Sequence, residues 1–243
     1  MKTNLAIASA ILFLLPSLWG IDALRAQEYG SFMEEAGLSS VLYRGRVALR
    51  YPFAFNGTVY WSGPEFKTGS LVFNSKRYEG VLLNVNANLH EVQVRWSASS
   101  PAVALSPSMV ESLSFDSMVF ENMYSNPVPG IPQGYYQLLY KGRNHTLYKR
   151  VDRNYSDGID AVDRFLYEHP DANPKVRRIF EPKYSFYIVT DGKGTLVKGA
   201  AALRRYFKPL KSRFRAFLFD GNFNKDDDAM YVGVLQIVDE YEK

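Results

Sequence analysis

The sequence predicts an α+β fold: an antiparallel β meander, closed like a barrel or open, followed by a small C-terminal helical segment. Three observations predict it. The chain from Leu42 to Trp96 is rich in aromatic and β-branched residues and is cut at short intervals by glycines, the pattern of short strands and tight turns. Within that region apolar and polar residues alternate along Glu91-Val92-Gln93-Val94-Arg95-Trp96, the period of a strand. After Gly199 the apolar spacing changes to fours and threes, the period of a helix.

The first element is a leader. Met1-Lys2 precedes an apolar run from Leu5 to Trp19, and Leu24-Arg25-Ala26 ends in a small residue. This order reads as a signal peptide over residues 1–26, cleaved after Ala26. The apolar run falls short of the roughly 20 residues that span a bilayer, and no later run reaches it, so the mature chain is expected to carry no transmembrane segment. There is no cysteine in the 243 residues, which excludes disulfides, thiolate metal sites, a cysteine nucleophile and a lipidated cysteine anchor. The formal charge is +4. Loss of Lys2, Arg25 and Asp22 with the leader leaves +3, too little to point to a nucleic-acid partner.

Residues 27–198 form the β-rich domain. Gly45, Gly57, Gly63-Pro64, Gly69 and Gly80 punctuate its first half as turns. The alternation at 91–96 predicts a strand with Val92, Val94 and Trp96 on a dry face and Glu91, Gln93 and Arg95 on a wet one, with His90 on the dry parity before it. Asn84 to Asn88 reads as a strand end and turn. Strands continue over Ser114–Met123 and Gly134–Arg150, separated by the proline-rich loop "SNPVPGIPQ". Lys141-Gly142-Arg143-Asn144 is a hairpin connection. Asp152–Lys183 is a polar insert with a short helix over Gly158–Glu168, and "DGKG" closes a last hairpin.

Residues 199–243 form helices packed on the β-rich domain. Leu203, Phe207, Leu210, Phe214 and Phe217 make one apolar stripe, with Pro209 placed to begin a second helix. Met230, Val234, Ile237 and Tyr241 make the next.

The segments "LYRGRVALRYPFAFNGTVYW", "FKTGSLVFNSKRYEGVLLNVNANLHEVQV", "GYYQLLYKGRNHTLYKR" and "KYSFYIVTDGKGTLVK", in that order, resemble a family of uncharacterised exported proteins of Gram-negative bacteria. The likeness covers nearly all of the mature chain from Leu42 onward, and is carried by turn glycines, strand aromatics and spacing. It implies an envelope location and the β-then-helix order, and it transfers no catalytic residue.

Reactive motifs are scarce. "DGNFNKDDD" places Asp220, Asn222, Asn224, Asp226 and Asp228 at alternate positions of a calcium loop. The position that needs glycine is Lys225, and the one that needs a bidentate glutamate is Tyr231. The same residues suit the start of a helix, with Asn224 or Asp226 as its cap. His90, His145 and His169 show no metal-ligand spacing, so no metal site and no cofactor is expected. Neither a G-x-S-x-G elbow nor a phosphate-cradling glycine loop occurs, and the serines of Ser97–Ser108 sit among prolines as a linker or edge loop. Asn56, Asn144 and Asn154 begin glycosylation acceptor triplets, which are idle in a bacterial protein. Many of the 17 Tyr and 16 Phe lie on strands, where packing explains them and a binding face is the alternative.

Charge is segregated in the tail. From Lys193 to Arg215 there are eight basic residues and no acidic one. If the apolar stripe packs inward, Arg204, Arg205, Lys208, Lys211 and Arg215 form a basic surface for an anionic envelope component or an acidic protein partner. The competing reading has these charges answered by Asp226–Asp228 and Asp239–Glu242. The expected function is that of a non-catalytic binding or assembly module in the periplasm or at the outer cell surface. Its rival is a hydrolase of cell-wall or glycan substrates that uses dispersed carboxylates.

Overall fold

The turns of this sheet are written in left-handed backbone. Asn74-Ser75, Asp116-Ser117 and Asp191-Gly192 all have positive φ, the signature of two-residue hairpins whose twist matches the strands they join. The computed structural model describes residues 40–242, so the leader expected over 1–26, with cleavage after Ala26, lies outside the described residues.

Twelve strands form one open sheet: β1 (Arg46–Val47), β2 (Asn56–Gly57), β3 (Lys67–Phe73), β4 (Lys76–Asn86), β5 (Glu91–Arg95), β6 (Val103–Ala104), β7 (Val110–Phe115), β8 (Met118–Asn122), β9 (Tyr135–Lys141), β10 (His145–Ser156), β11 (Ile179–Thr190) and β12 (Lys193–Val197). The order is β1-β6-β5-β4-β3-β7-β8-β9-β10-β11-β12, an antiparallel path on which sequence neighbours mostly pair. β2 joins from the side and runs parallel to β11. The fold is thus α+β with an open sheet, as expected.

The sheet curls. Ala87, just past β4, accepts a hydrogen bond from the Arg153 N–H of β10 at 3.1 Å, although four strands separate β4 and β10 in the order. The segment after β2 closes the gap. Ala87 N–H donates to Val59 O and Trp61 N–H to Val85 O, while the Arg153 guanidinium donates to Tyr60 O and Trp61 O. Inside the curl lies the main core, with Leu42, Trp61, Leu71, Leu83, Phe120 and Val151. Burial of these large apolar side chains is the principal stabilising term.

That curl corrects the expected wet face of β5. Glu91 and Gln93 are buried, 6% and 1% exposed. The Arg46 guanidinium pairs with Glu91, Gln93 Nε2 donates to Glu91 Oε1 at 2.8 Å, and Tyr60 OH donates to Gln93 Oε1 at 3.1 Å. Trp96 stands 37% exposed at the end of the dry parity. His90 is not on the strand; it occupies the preceding turn with φ of 51°. Gly69 and Gly80 lie within β3 and β4 and not in turns. A Cβ at Gly69 would come 2.1 Å from Ser114 O, so glycine is what lets β7 approach.

The polar insert is shorter than expected because β10 and β11 extend to Ser156 and from Ile179, pairing over their full length. It contains helix α1 (Ile159–Glu168), whose Val162 and Phe165 pack on Ile179. The tail folds as three helices: α2 (Gly199–Tyr206), α3 (Arg215–Asp220) and α4 (Asp228–Tyr241), with a 3-10 turn at Lys208–Leu210 where Pro209 sits. Leu203, Phe207, Phe214, Met230, Val234 and Val238 pack with Leu147, Phe186 and Ile188 of the sheet. In α4 the buried face is Met230, Tyr231, Val234, Leu235 and Val238, and Tyr241 is 52% exposed. The cap of α4 is Asp227, whose carboxylate accepts from Ala229 N–H at 3.0 Å; Asn224 instead closes a turn onto Asp226 N–H. Tyr231, at the calcium loop's last position, is a core residue. It stacks on Phe186, accepts from Gly199 N–H and donates to Lys225 O.

Candidate functional site

The inward anchors of the tail decide what its other residues do. Leu203, Phe207 and Phe214 are at most 5% exposed, so the intervening positions are turned away from the sheet. Arg204, Arg205, Lys208, Lys211 and Arg215 are all exposed. Among the described residues none of the five forms an ion pair, and Arg204 Nε donates only to Ala200 O of its own helix, at 3.3 Å. Phe219 stands one turn beyond Arg215 on α3 and is 86% exposed.

Acidic residues of the same tail face elsewhere. Asp228 accepts from Lys149 Nζ of β10 at 2.7 and 2.9 Å. Asp239 accepts from Tyr140 OH and the Arg143 N–H, and Glu242 from Asn144 Nδ2. Burial, and then the hydrogen bond to Asp239, push the Tyr140 phenol up to about 12, so it remains the donor. Of the acidic end expected to answer the basic strip, Asp228, Asp239 and Glu242 thus have their partners on β9, β10 and the turn between them, and none of the described ion pairs joins the acidic end to the strip.

The same packing gathers His145, Asp239 and Glu242, whose nitrogen and oxygen atoms lie within 4.8 Å of one another and can hold a metal ion. No local spacing in the sequence announces this group. His90 and His169 join no such cluster among the described residues: His90 Nε2 lies 2.8 Å from Asp152, and His169 stacks on Phe165.

Two other features bear on ligand binding. A recess of about 480 Å³ lies over the β3–β4 and β7–β8 hairpins, lined by Ser70, Arg77, Glu79, Ser117 and Met118. Glu79 is its one carboxylate and is paired with Arg77. Elsewhere Tyr51, Phe53, Phe55, Tyr155 and Phe180 meet edge to face, and the Arg178 guanidinium lies 5.0 Å from the Phe53 ring. Most other large aromatics, including Trp61, Phe120, Tyr135 and Phe186, are core.

No helix among the described residues is long and apolar enough to cross a membrane. No family model, no curated protein and no solved structure matches this chain.

Proposed function

We propose that the protein is an exported, non-catalytic envelope protein that binds a phosphate-bearing lipid surface through its basic helical face. One observation carries the reading: five exposed cations, Arg204, Arg205, Lys208, Lys211 and Arg215, have no ion-pair partner among the described residues, while Asp228, Asp239 and Glu242 of the same tail are engaged with the sheet and the hairpin beside it. Exposed Phe219 beside Arg215 adds an apolar side chain of the kind that enters a headgroup layer next to basic residues. Export is supported by the leader pattern over 1–26 and the resemblance to exported proteins.

Glycan hydrolysis requires two carboxylates flanking the bond, about 5 to 9 Å apart. Asp239 and Glu242 have oxygens within 4.8 Å of each other, and both are already hydrogen-bonded to the β9–β10 hairpin. The recess over the hairpins offers one carboxylate.

Each cation near an anionic surface contributes about 1 kcal/mol, so removing four abolishes a weak association. Sedimentation with phosphatidylglycerol vesicles should show binding that falls with salt and is absent on phosphatidylcholine. Changing Arg204, Arg205, Lys208 and Lys211 together to Ser should abolish it. Equal binding by the variant, or binding indifferent to salt, refutes the reading.

A further inference from the structure

Among the described residues four buried side-chain atoms have no hydrogen-bond partner, and one of them is a carboxylate oxygen. Asp239 Oδ1 is buried with no hydrogen-bond partner. Its sister Oδ2 accepts from Tyr140 OH at 2.8 Å and from Arg143 N–H at 3.1 Å. A buried oxygen of an acidic side chain left without a donor is costly, and a cation is the ligand that relieves it most directly. One carboxylate oxygen of Asp239, one imidazole nitrogen of His145, which is 4% exposed, and one carboxylate oxygen of Glu242 lie within 4.8 Å of one another, with His145 Nε2 and Glu242 Oε2 2.9 Å apart. Metal bonds of about 2.0 to 2.2 Å to each side chain fit a cluster of this size.

We propose that His145, Asp239 and Glu242 form a binding site for a divalent transition-metal cation of the zinc class.

The donor set chooses the class. One imidazole nitrogen with two carboxylates suits zinc and its neighbours, whereas calcium and magnesium prefer oxygen alone. Three protein ligands leave a fourth position for water.

The surroundings match what a metal site needs beyond its ligands. His145 Nδ1 lies 2.7 Å from Thr190 Oγ1, which in turn accepts from Tyr206 OH at 3.0 Å; this holds the ring with Nε2 turned to the carboxylates. Tyr140 and the Arg143 N–H orient Asp239, and Asn144 Nδ2 orients Glu242 at 3.2 Å. Such outer partners fix ligand geometry and raise affinity. Asp239 and Glu242 stand three residues apart at the end of α4 and share a face, while His145 opens β10. A bound ion would tie the end of the helical layer to the β9–β10 hairpin. With metal on Nε2 the neutral ring carries its one proton on Nδ1, where Thr190 Oγ1 accepts it.

The test uses tag-free protein treated with EDTA and dialysed. Calorimetric titration with zinc chloride should show one saturable site per chain and a raised unfolding temperature, with no comparable response to magnesium or calcium chloride. Glu242→Gln and Asp239→Asn keep hydrogen-bonding groups in place and remove ligand charge. Each should weaken zinc binding on the order of tenfold or more, with circular dichroism unchanged. Cobalt chloride should give visible absorption bands in wild type that both variants lose. Absence of saturable zinc binding in wild type, or equal binding in both folded variants, overturns the proposal. Neither result depends on vesicle binding, so this site and the lipid reading stand or fall separately.

Discussion

His145 Nε2 lies 2.9 Å from Glu242 Oε2, although the two residues are 97 positions apart in the chain. With Asp239 on Tyr140 and the Arg143 N–H, it fixes the last turn of α4 against the β9–β10 hairpin. The helical layer is thereby held at both ends, because Asp228 at the start of α4 pairs with Lys149 of β10.

Gly142 leaves the space this junction needs. A Cβ there would lie 1.6 Å from Asp239 Oδ2 and 2.7 Å from the Tyr140 ring. Gly142→Ala should drive the Asp239 carboxylate off the hairpin, break its hydrogen bonds from Tyr140 and the Arg143 N–H, and cost about 1 to 3 kcal/mol. Urea unfolding measures this, and an unchanged midpoint would show that helix and hairpin are not in this contact.

Asn56 staples the chain between α1 and β11 to the sheet. Its Nδ2 donates to Asn173 O at 2.9 Å and Val176 O at 3.1 Å, and its Oδ1 accepts from Asn173 N–H at 3.0 Å. Asn56→Asp exchanges the donor for a charge facing two carbonyl oxygens. The loss should be about 3 kcal/mol and exceed that of Asn56→Ala, with faster proteolysis around residues 170–178. Equal stability of the Asp and Ala variants would contradict this account.

Tyr135 is 1% exposed, and its hydroxyl has no hydrogen-bond partner. Burial raises its phenol far above the ordinary value. Tyr135→Phe removes the stranded hydroxyl while keeping the ring, and should stabilise the protein by about 1 kcal/mol in thermal unfolding. A loss of stability would mean that the hydroxyl has a partner in solution.

Asp152 gives the fold an acid-sensitive pair. Burial opposes its ionisation, but hydrogen bonds from His90 and Arg150 and their charges outweigh it and hold the carboxyl below 3.8. Since the folded pKa is depressed, this stabilisation is present in full above the unfolded value and is lost as pH falls through the folded one. Asp152→Asn should flatten the decline of the urea midpoint below about pH 4 relative to wild type. Parallel curves for the two proteins would assign the acid sensitivity elsewhere.

The sequence by itself determined those features that depend on neighbours a few residues apart. The hairpin at Lys141–Asn144, the helix ending at Glu168 and the change of period after Lys198 each follow from turn chemistry or from apolar spacing, and the structure has all of them. The outward basic strip was legible for the same reason, since the spacing of Leu203, Phe207 and Phe214 fixes which side chains face away. Tertiary structure alone decided the rest. Glu91 and Gln93 occupy polar positions of an alternating strand, yet they are buried, with Tyr60 brought onto their face by the curl and Arg46 reaching them from β1 two strands away. His145, Asp239 and Glu242 meet because a helix packs its last turn against a distant hairpin. Periodicity records which face of an element is apolar; the partner that face meets is set by how the elements pack, and packing joins residues that no local spacing connects.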